Sequence, residues 1–365
     1  MRALRFLARR VALLRLRSSV TLGSLFAITR IGVTWGLSLY LLGCGGGGGG
    51  TTPTSSPSSL GQVPTPPFSV VHKIGGLNLG PFIFAGQNPN LGTVVPGDQL
   101  QFLINVAAQY STWIRTFGTS NTLQSAGQYI HLAGAKAIIG AYLAPLDPPP
   151  SGSSQCTLTG TNAVSNQQEL DRLISIANAG QADIIVIGNE TLYSGSLVEC
   201  QLISYITYVR NRLTPGINVQ VATTDTWSVL VNHPNVIAAE DVVLASIYPF
   251  YENVAEPNAV TQLASDYASI KMASGAKQTI ISETGWPSAG GLPAANSPSV
   301  PSPSNQLAYF LAAEQWASQN NVLLFWFQGW NEPWKSSATG NTFDAYWGIF
   351  DANNVLESQF APAFQ

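Results

Sequence analysis

A 365-residue chain with 16 Lys/Arg, 19 Asp/Glu and only 10% charged residues has no basic excess to offer a polyanion, so nucleic acid is not an expected partner. Aromatic residues also reach 10%, a balance that suits a neutral polymer better than an ionic ligand. His72, His131 and His233 are scattered, and the three cysteines lack CxxC or His spacing, so no metal and no cofactor are expected.

The first 44 positions hold seven arginines (Arg2, Arg5, Arg9, Arg10, Arg15, Arg17 and Arg30) and no acid, and the apolar stretch Ile31–Leu42 leads to Gly43 and Cys44. A basic region, a short apolar core and a small residue describe a secretory signal, and a core of about a dozen residues is short for a membrane span. The LLGC at Leu41–Cys44 is similar to a bacterial lipobox, in which Cys44 becomes the lipid-bearing N-terminus. The expectation is a lipoprotein exported to the periplasm or cell surface and held at a membrane by its anchor. An uncleaved anchor and ordinary secretion are the alternatives.

Removal of residues 1–44 leaves nine basic residues against nineteen acidic ones, a net charge of about −10. Residues 45–67, six glycines followed by TTPTSSPSSLGQVPTPP, cannot bury a core and read as a flexible tether. Residues 68–365 then make one folded unit, within the size range of a single α/β barrel and expected to be a monomer. Within it, Cys156 and Cys200 are candidates for one disulfide in an oxidising compartment.

Along that unit, strand and helix patterns alternate. Expected strands are 72–77, 113–117, 136–142, 183–187, 218–222, 242–248, 278–282 and 322–327. Helical periodicity falls between several of them, at 98–110, 122–133, 166–179, 197–212, 259–273 and 304–320. Eight strands alternating with helices imply a parallel sheet, and eight is the closing number of the (β/α)8 TIM barrel. An open doubly wound sheet is the alternative, but Gly75, Gly76 and Gly80 lack the GxGxxG spacing of its phosphate turn.

The chemistry gathers at the C-terminal ends of these strands. TIISETGWPS at Thr279–Ser288 is an apolar run that stops at Glu283, with Gly285 and Pro287 breaking the chain around Trp286. DIIVIGNETLY at Asp183–Tyr193 has the same design and ends in Asn189 and Glu190. Either acid alone reads equally as a strand cap or a solvated loop residue. Two carboxylates on two strand ends, 93 positions apart, converge on one mouth of a closed barrel. Glycoside hydrolysis requires such a pair, one to protonate the leaving oxygen and one to attack or stabilise the anomeric carbon. The other strand ends carry Asn78, Arg115 with Phe117, Tyr142, Asp225 with Trp227, Tyr248 with Tyr251, and Gln328 with Trp330. Asn189 is placed to hydrogen-bond a sugar hydroxyl.

These segments resemble glycoside hydrolase family 17, the β-1,3-glucanase family. SETGWPS (Ser282–Ser288) resembles its nucleophile signature and GNE (Gly188–Glu190) its acid/base segment. IRTFG (Ile114–Gly118), SIYPFY (Ser246–Tyr251), FQGWNEPWK (Phe327–Lys335) and WGIF (Trp347–Phe350) follow in the family's order, so the resemblance spans Gly75 to Phe350. It implies a (β/α)8 barrel and retaining hydrolysis or transfer on β-glucan. Glu283 would be the nucleophile and Glu190 the acid/base, with a carboxyl separation of about 5–5.5 Å. Tyr248 would hydrogen-bond Glu283, and Arg115 would orient carboxylates or loops. Glu332 and Lys335 would balance charge and contact substrate, and Gln328 stands where the fungal pattern often has Glu. Trp286, Trp330, Trp334 and Tyr251 are candidate sugar platforms, although large aromatics serve equally as core or rim packing. The expectation is an endo-β-1,3-glucanase. The competing readings are a β-1,3-glucanosyltransferase and a non-catalytic glucan-binding lipoprotein.

Overall fold

A computed structural model describes residues 72–151 and 156–365. The leader at 1–44, Cys44 and the tether at 45–67 lie outside the described residues. Eight strands close into one sheet: β1 (Ile74–Asn78), β2 (Ser111–Thr116), β3 (Lys136–Ala141), β4 (Ile184–Asn189), β5 (Gln220–Thr226), β6 (Val243–Ser246), β7 (Thr279–Thr284) and β8 (Leu324–Trp326). Each pairs in parallel with the next, and β8 returns to β1 through Gly76–Phe325 and Leu77–Trp326. The fold is a (β/α)8 TIM barrel.

Runs such as Ile184–Ile187 and Thr279–Ile281 are apolar at successive positions because both faces of a barrel strand are covered. One face fills the barrel interior, where Ile138, Ile184, Val186, Ala222, Leu244, Ile280 and Phe325 pack together. The other face meets the surrounding helices in the larger core. Gly76 has no side chain for a steric reason. A Cβ there would sit 2.4 Å from the Phe325 ring, which occupies the space at the closing seam.

The helices are α1 (Gly97–Tyr110), α2 (Ala126–Leu132), α3 (Ala163–Asn178), α4 (Glu199–Arg210), α5 (Trp227–Leu230), α6 (Pro234–Ala239), α7 (Glu256–Ser274), α8 (Pro303–Gln319), α9 (Trp334–Thr339) and α10 (Ala361–Phe364). The start of α8 shows the local logic: Ser302 Oγ accepts from the Asn305 N–H, and Pro303 occupies a position whose missing N–H costs nothing. The expected helix at 122–133 begins instead as a 3₁₀ turn (Leu123–Ser125) before α2. Helices α5 and α6, unanticipated in the sequence, have four and six residues, too few to display a 3.6-residue period. Cys156, in the connection from β3 to α3, is disulfide-bonded to Cys200 of α4. Among the described residues, no helix is long and apolar enough to cross a membrane.

Strand regularity breaks where the barrel mouth begins. Pairing of β4 with β5 shifts register between Val186 and Asn189, and β7 shifts against β6 and again against β8 between Ile281 and Thr284. Such irregularities re-aim the residues that follow them. Here those residues are Asn189, Glu190 and Glu283.

Candidate active site

At the end of β7, Glu283 is buried and gripped at both carboxylate oxygens. Arg115 Nη1 donates to Oε1 at 2.7 Å, and the Tyr248 hydroxyl donates to Oε2 at 2.9 Å. The charge-assisted contact to Arg115 is the stronger kind of hydrogen bond. Arg115 rises from β2 with its side chain 1% exposed, and it is itself held on several sides. Its Nη1 also reaches Asn78 Oδ1 at 3.0 Å and the Ser282 carbonyl at 3.2 Å, and its Nη2 reaches Asn189 Oδ1 at 2.6 Å. Asn78 completes the frame by donating to the carbonyls of Ser282 and Trp326. One guanidinium therefore links the two strands that carry the acids.

Glu190 is built differently. The chain leaves β4 with Gly188 at φ +78° and Glu190 at φ +51°, the left-handed region that a β-carbon disfavours. Gly188 answers that demand by having none. Glu190 is held in it by a backbone bond from its N–H to the Thr224 carbonyl at 2.8 Å. Burial raises the Glu190 carboxyl to about 8, reinforced by the negative charges of Glu283 and Asp225 and partly opposed by the Ser246 hydroxyl and Arg115. One acid thus keeps its proton at neutral pH beside a carboxylate fixed by two donors, the division of labour that glycoside cleavage needs.

Around this pair stands an aromatic wall. Phe117 and Phe327 meet edge-to-face at 6.2 Å between centroids, Phe327 meets Tyr248 at 6.0 Å, and Trp347 meets both Tyr248 and Phe327. Phe117, Tyr248 and Phe327 are half-buried, so part of each remains open toward the mouth. Tyr251 is 46% exposed, stacks on Trp347, and is anchored through its hydroxyl to Asp344 Oδ1 at 3.0 Å.

Trp286 and Trp330 correct the expectation of sugar platforms. Both are fully buried. The Trp286 indole donates to the Val300 carbonyl and packs on Phe250 and Tyr309, while the Trp330 indole donates to Asn354 and stacks on Phe350. With their N–H groups satisfied inside, neither presents a face to a sugar. Glu332 is also buried, fastened to Lys335 at 2.7 Å and to the Trp334 indole at 3.1 Å. Lys335 further donates to Gln328 Oε1 at 2.7 Å and lies 4.3 Å from the Phe327 ring centroid. Glu332 therefore spends its carboxylate on Lys335 and the Trp334 indole. Trp334 is half-buried beside Phe82.

Three contributors escaped assignment from the sequence. Asn78 and Asp225 stand at strand ends but have no motif that assigns them a role, and Trp347 shows its place only once the chain returns across the mouth. Among the described residues, no group of three or more His, Cys, Asp or Glu is arranged to hold a metal ion.

The model of the BtgE/BtgC glycoside hydrolase domain matches residues 86–348, well over half of the chain. The chain belongs to the BtgE/BtgC glycoside hydrolase family. The matched span contains Arg115, Glu190, Tyr248 and Glu283, whereas Asn78 on β1 lies just before it. A relative from Aspergillus terreus, "Probable glucan endo-1,3-beta-glucosidase btgC", is 28% identical over 55% of this chain and 34% of its own length. The chain thus spans about a third of that BtgC protein. The "Glucan 1,3-beta-glucosidase BGL2" of Candida albicans is 25% identical over 68% of this chain and 81% of its own. Among solved structures, a glycoside hydrolase family 17 β-1,3-glucanosyltransferase from Rhizomucor miehei superposes with a TM-score of 0.64 at 25% identity, covering 78% of this chain and 96% of that one. This chain and that transferase share the barrel.

Proposed function

We propose that this chain is a retaining β-glucan hydrolase, an endo-β-1,3-glucanase, with Glu283 as nucleophile and Glu190 as acid/base. The observation that carries the reading is the asymmetry of the pair: Glu283 takes donors on both oxygens from Arg115 and Tyr248, while Glu190 is pushed up to about 8 beside it. In the first step a Glu283 oxygen bonds to the anomeric carbon as the glycosidic C–O bond breaks. The Glu190 proton passes to the departing oxygen. In the second, the Glu190 carboxylate takes a proton from water, whose oxygen attacks the anomeric carbon and frees Glu283. Asn189, Tyr251, Lys335 and the Phe117–Phe327 wall are the substrate-contacting groups in this scheme. The names of the relatives, glucan endo-1,3- and 1,3-beta-glucosidases, support a β-1,3-glucan as substrate.

Replacing water by a sugar hydroxyl turns the same chemistry into transfer, and the solved glucanosyltransferase favours this as the second reading. Incubation with laminarin-type oligosaccharides at high donor concentration separates the two: only shorter products mean hydrolysis, and products longer than the donor mean transfer. A non-catalytic glucan-binding lipoprotein predicts no turnover at all. Trapping Glu283 with a 2-deoxy-2-fluoro glycosyl donor and locating the adduct by mass spectrometry tests the retaining scheme. A turnover-competent enzyme that never forms the adduct would sink it.

We further propose export and anchoring through Cys44, with the barrel acting as a monomer. The Cys156–Cys200 disulfide supports an oxidising destination. Metabolic labelling with a fatty acid, lost on Cys44→Ser, tests the anchor, and sedimentation of the released barrel tests its oligomeric state.

A further inference from the structure

The last three residues of β5 before its terminal Thr226 hold the end of β4 in place. Thr223 Oγ1 donates to the Ile187 carbonyl at 2.7 Å, the Thr224 carbonyl accepts from the Glu190 N–H at 2.8 Å, and Asp225 takes the turn beyond it. Asp225 Oδ2 accepts from the Leu192 N–H at 2.9 Å and from the Tyr193 N–H at 3.3 Å, while Oδ1 accepts from the Thr226 N–H at 2.8 Å. Its side chain is fully buried. A buried carboxylate is costly unless charge-assisted bonds compensate it, and here three backbone donors do. Two of them belong to the turn that follows Glu190, whose φ of +51° does not persist without a surrounding structure that enforces it.

We infer that Asp225 is the positioning residue for Glu190: its carboxylate fastens the turn that follows Glu190 by accepting from the Leu192 and Tyr193 N–H groups. This inference rests on the acid/base reading of Glu190 and adds the group that makes that role possible. The charges and hydroxyls facing Glu190 come from four strands and their ends: Arg115 of β2, Asp225 of β5, Ser246 of β6 with Tyr248 and Tyr251 beyond it, and Glu283 of β7. Glu283 and Asp225 oppose ionisation of Glu190, and Arg115 and Ser246 favour it. Removing the Asp225 charge subtracts one repulsion, so Glu190 releases its proton at lower pH and the alkaline limb of activity moves to lower pH.

The test compares the pH dependence of kcat/KM on laminarin for the wild type, Asp225→Asn, Asp225→Glu and Glu190→Ala, each checked for folding by thermal melting. Asp225→Asn keeps the size but presents an amide to N–H donors. It is expected to lower kcat by roughly tenfold or more with a smaller change in KM, as loss of positioning does. Its alkaline limb is expected to shift downward by roughly one pH unit. Asp225→Glu, which keeps the charge but displaces it, returns the limb to its wild-type position while kcat stays depressed. A limb that stays put in Asp225→Asn, with kcat reduced, would make Asp225 merely structural and overturn the inference. The Glu190→Ala enzyme on an aryl glucoside separates this failure from a deeper one. If that variant retains the wild-type limb, Glu190 is not the acid. If it loses the limb while Asp225→Asn does not move it, only the role of Asp225 falls.

Discussion

The ends of β4 and β7 make an instructive pair. Both are apolar strands that break register at the mouth and deliver a glutamate there, yet the two acids sit in opposite environments. Glu283 is buried and held by a guanidinium and a phenol, with its backbone inside a strand. Glu190 is largely buried too, but it sits in left-handed backbone just past its strand and faces two negative groups. Residue type decides nothing between them. The neighbours supplied by β2, β5 and the β6 end decide everything.

The most damaging way to break this contrast is Glu283→Gln, expected to lower kcat by at least about 10⁴-fold while binding of laminarin oligosaccharides and thermal stability change little. Turnover within tenfold of wild type would remove Glu283 from the mechanism. Glu190→Gln should cost about 10²–10⁴-fold on natural glucan. On an aryl glucoside with an acidic leaving group, the first step should recover much of that loss and the glycosyl-enzyme should accumulate. An equal loss on both substrates would contradict a proton-donating role.

Tyr248→Phe sharpens the comparison further. It deletes one hydrogen bond to a charged group, worth about 1.5–3 kcal/mol, so kcat/KM should fall roughly 10- to 100-fold with the fold retained. The Tyr248 hydroxyl is held far from ionisation by burial and by the charges of Glu283 and Glu190, so it acts only as a donor in this role.

The smallest effect concerns stability against pH. Glu190 ionises near 4.5 when unfolded and near 8 in the native barrel, so between these values the native state binds the extra proton. Stability from this group is fully present below about 4.5 and declines as pH rises through about 8. Glu190→Gln should flatten part of that decline in Tm measured from pH 4.5 to 8. Asp266 and Glu314, also raised to about 8 by burial, contribute the same sign and should preserve the remainder.

How much of this was legible follows from what each signal encodes. The strand bodies were legible because a buried barrel strand must be apolar on both faces, but their ends moved: β5 runs to Thr226, past the expected end at Ala222, because Thr223, Thr224 and Asp225 are polar and look like a turn. They are polar because they bond the neighbouring strand end. Trp286 and Trp330 were legible as large aromatics beside catalytic motifs, and sequence proximity placed them at the sugar. Only packing shows that both indoles turn inward, leaving Phe117, Phe327 and Tyr251 at the mouth. In the same way, Glu332 and Lys335 were readable as a pair. That Glu332 is buried against Lys335 and the Trp334 indole was not.

By itself, the sequence determined the eightfold alternation, the placement of two glutamates at strand ends and the glycoside hydrolase character of the barrel, because periodicity and short motifs are local properties that survive without contacts. The tertiary structure alone decided what raises the Glu190 carboxyl, how Arg115 joins Asn189 to Glu283, and how Asp225 holds the Glu190 turn. Those are electrostatic and hydrogen-bonding relations between residues up to 168 positions apart, and they come into being only when the barrel closes.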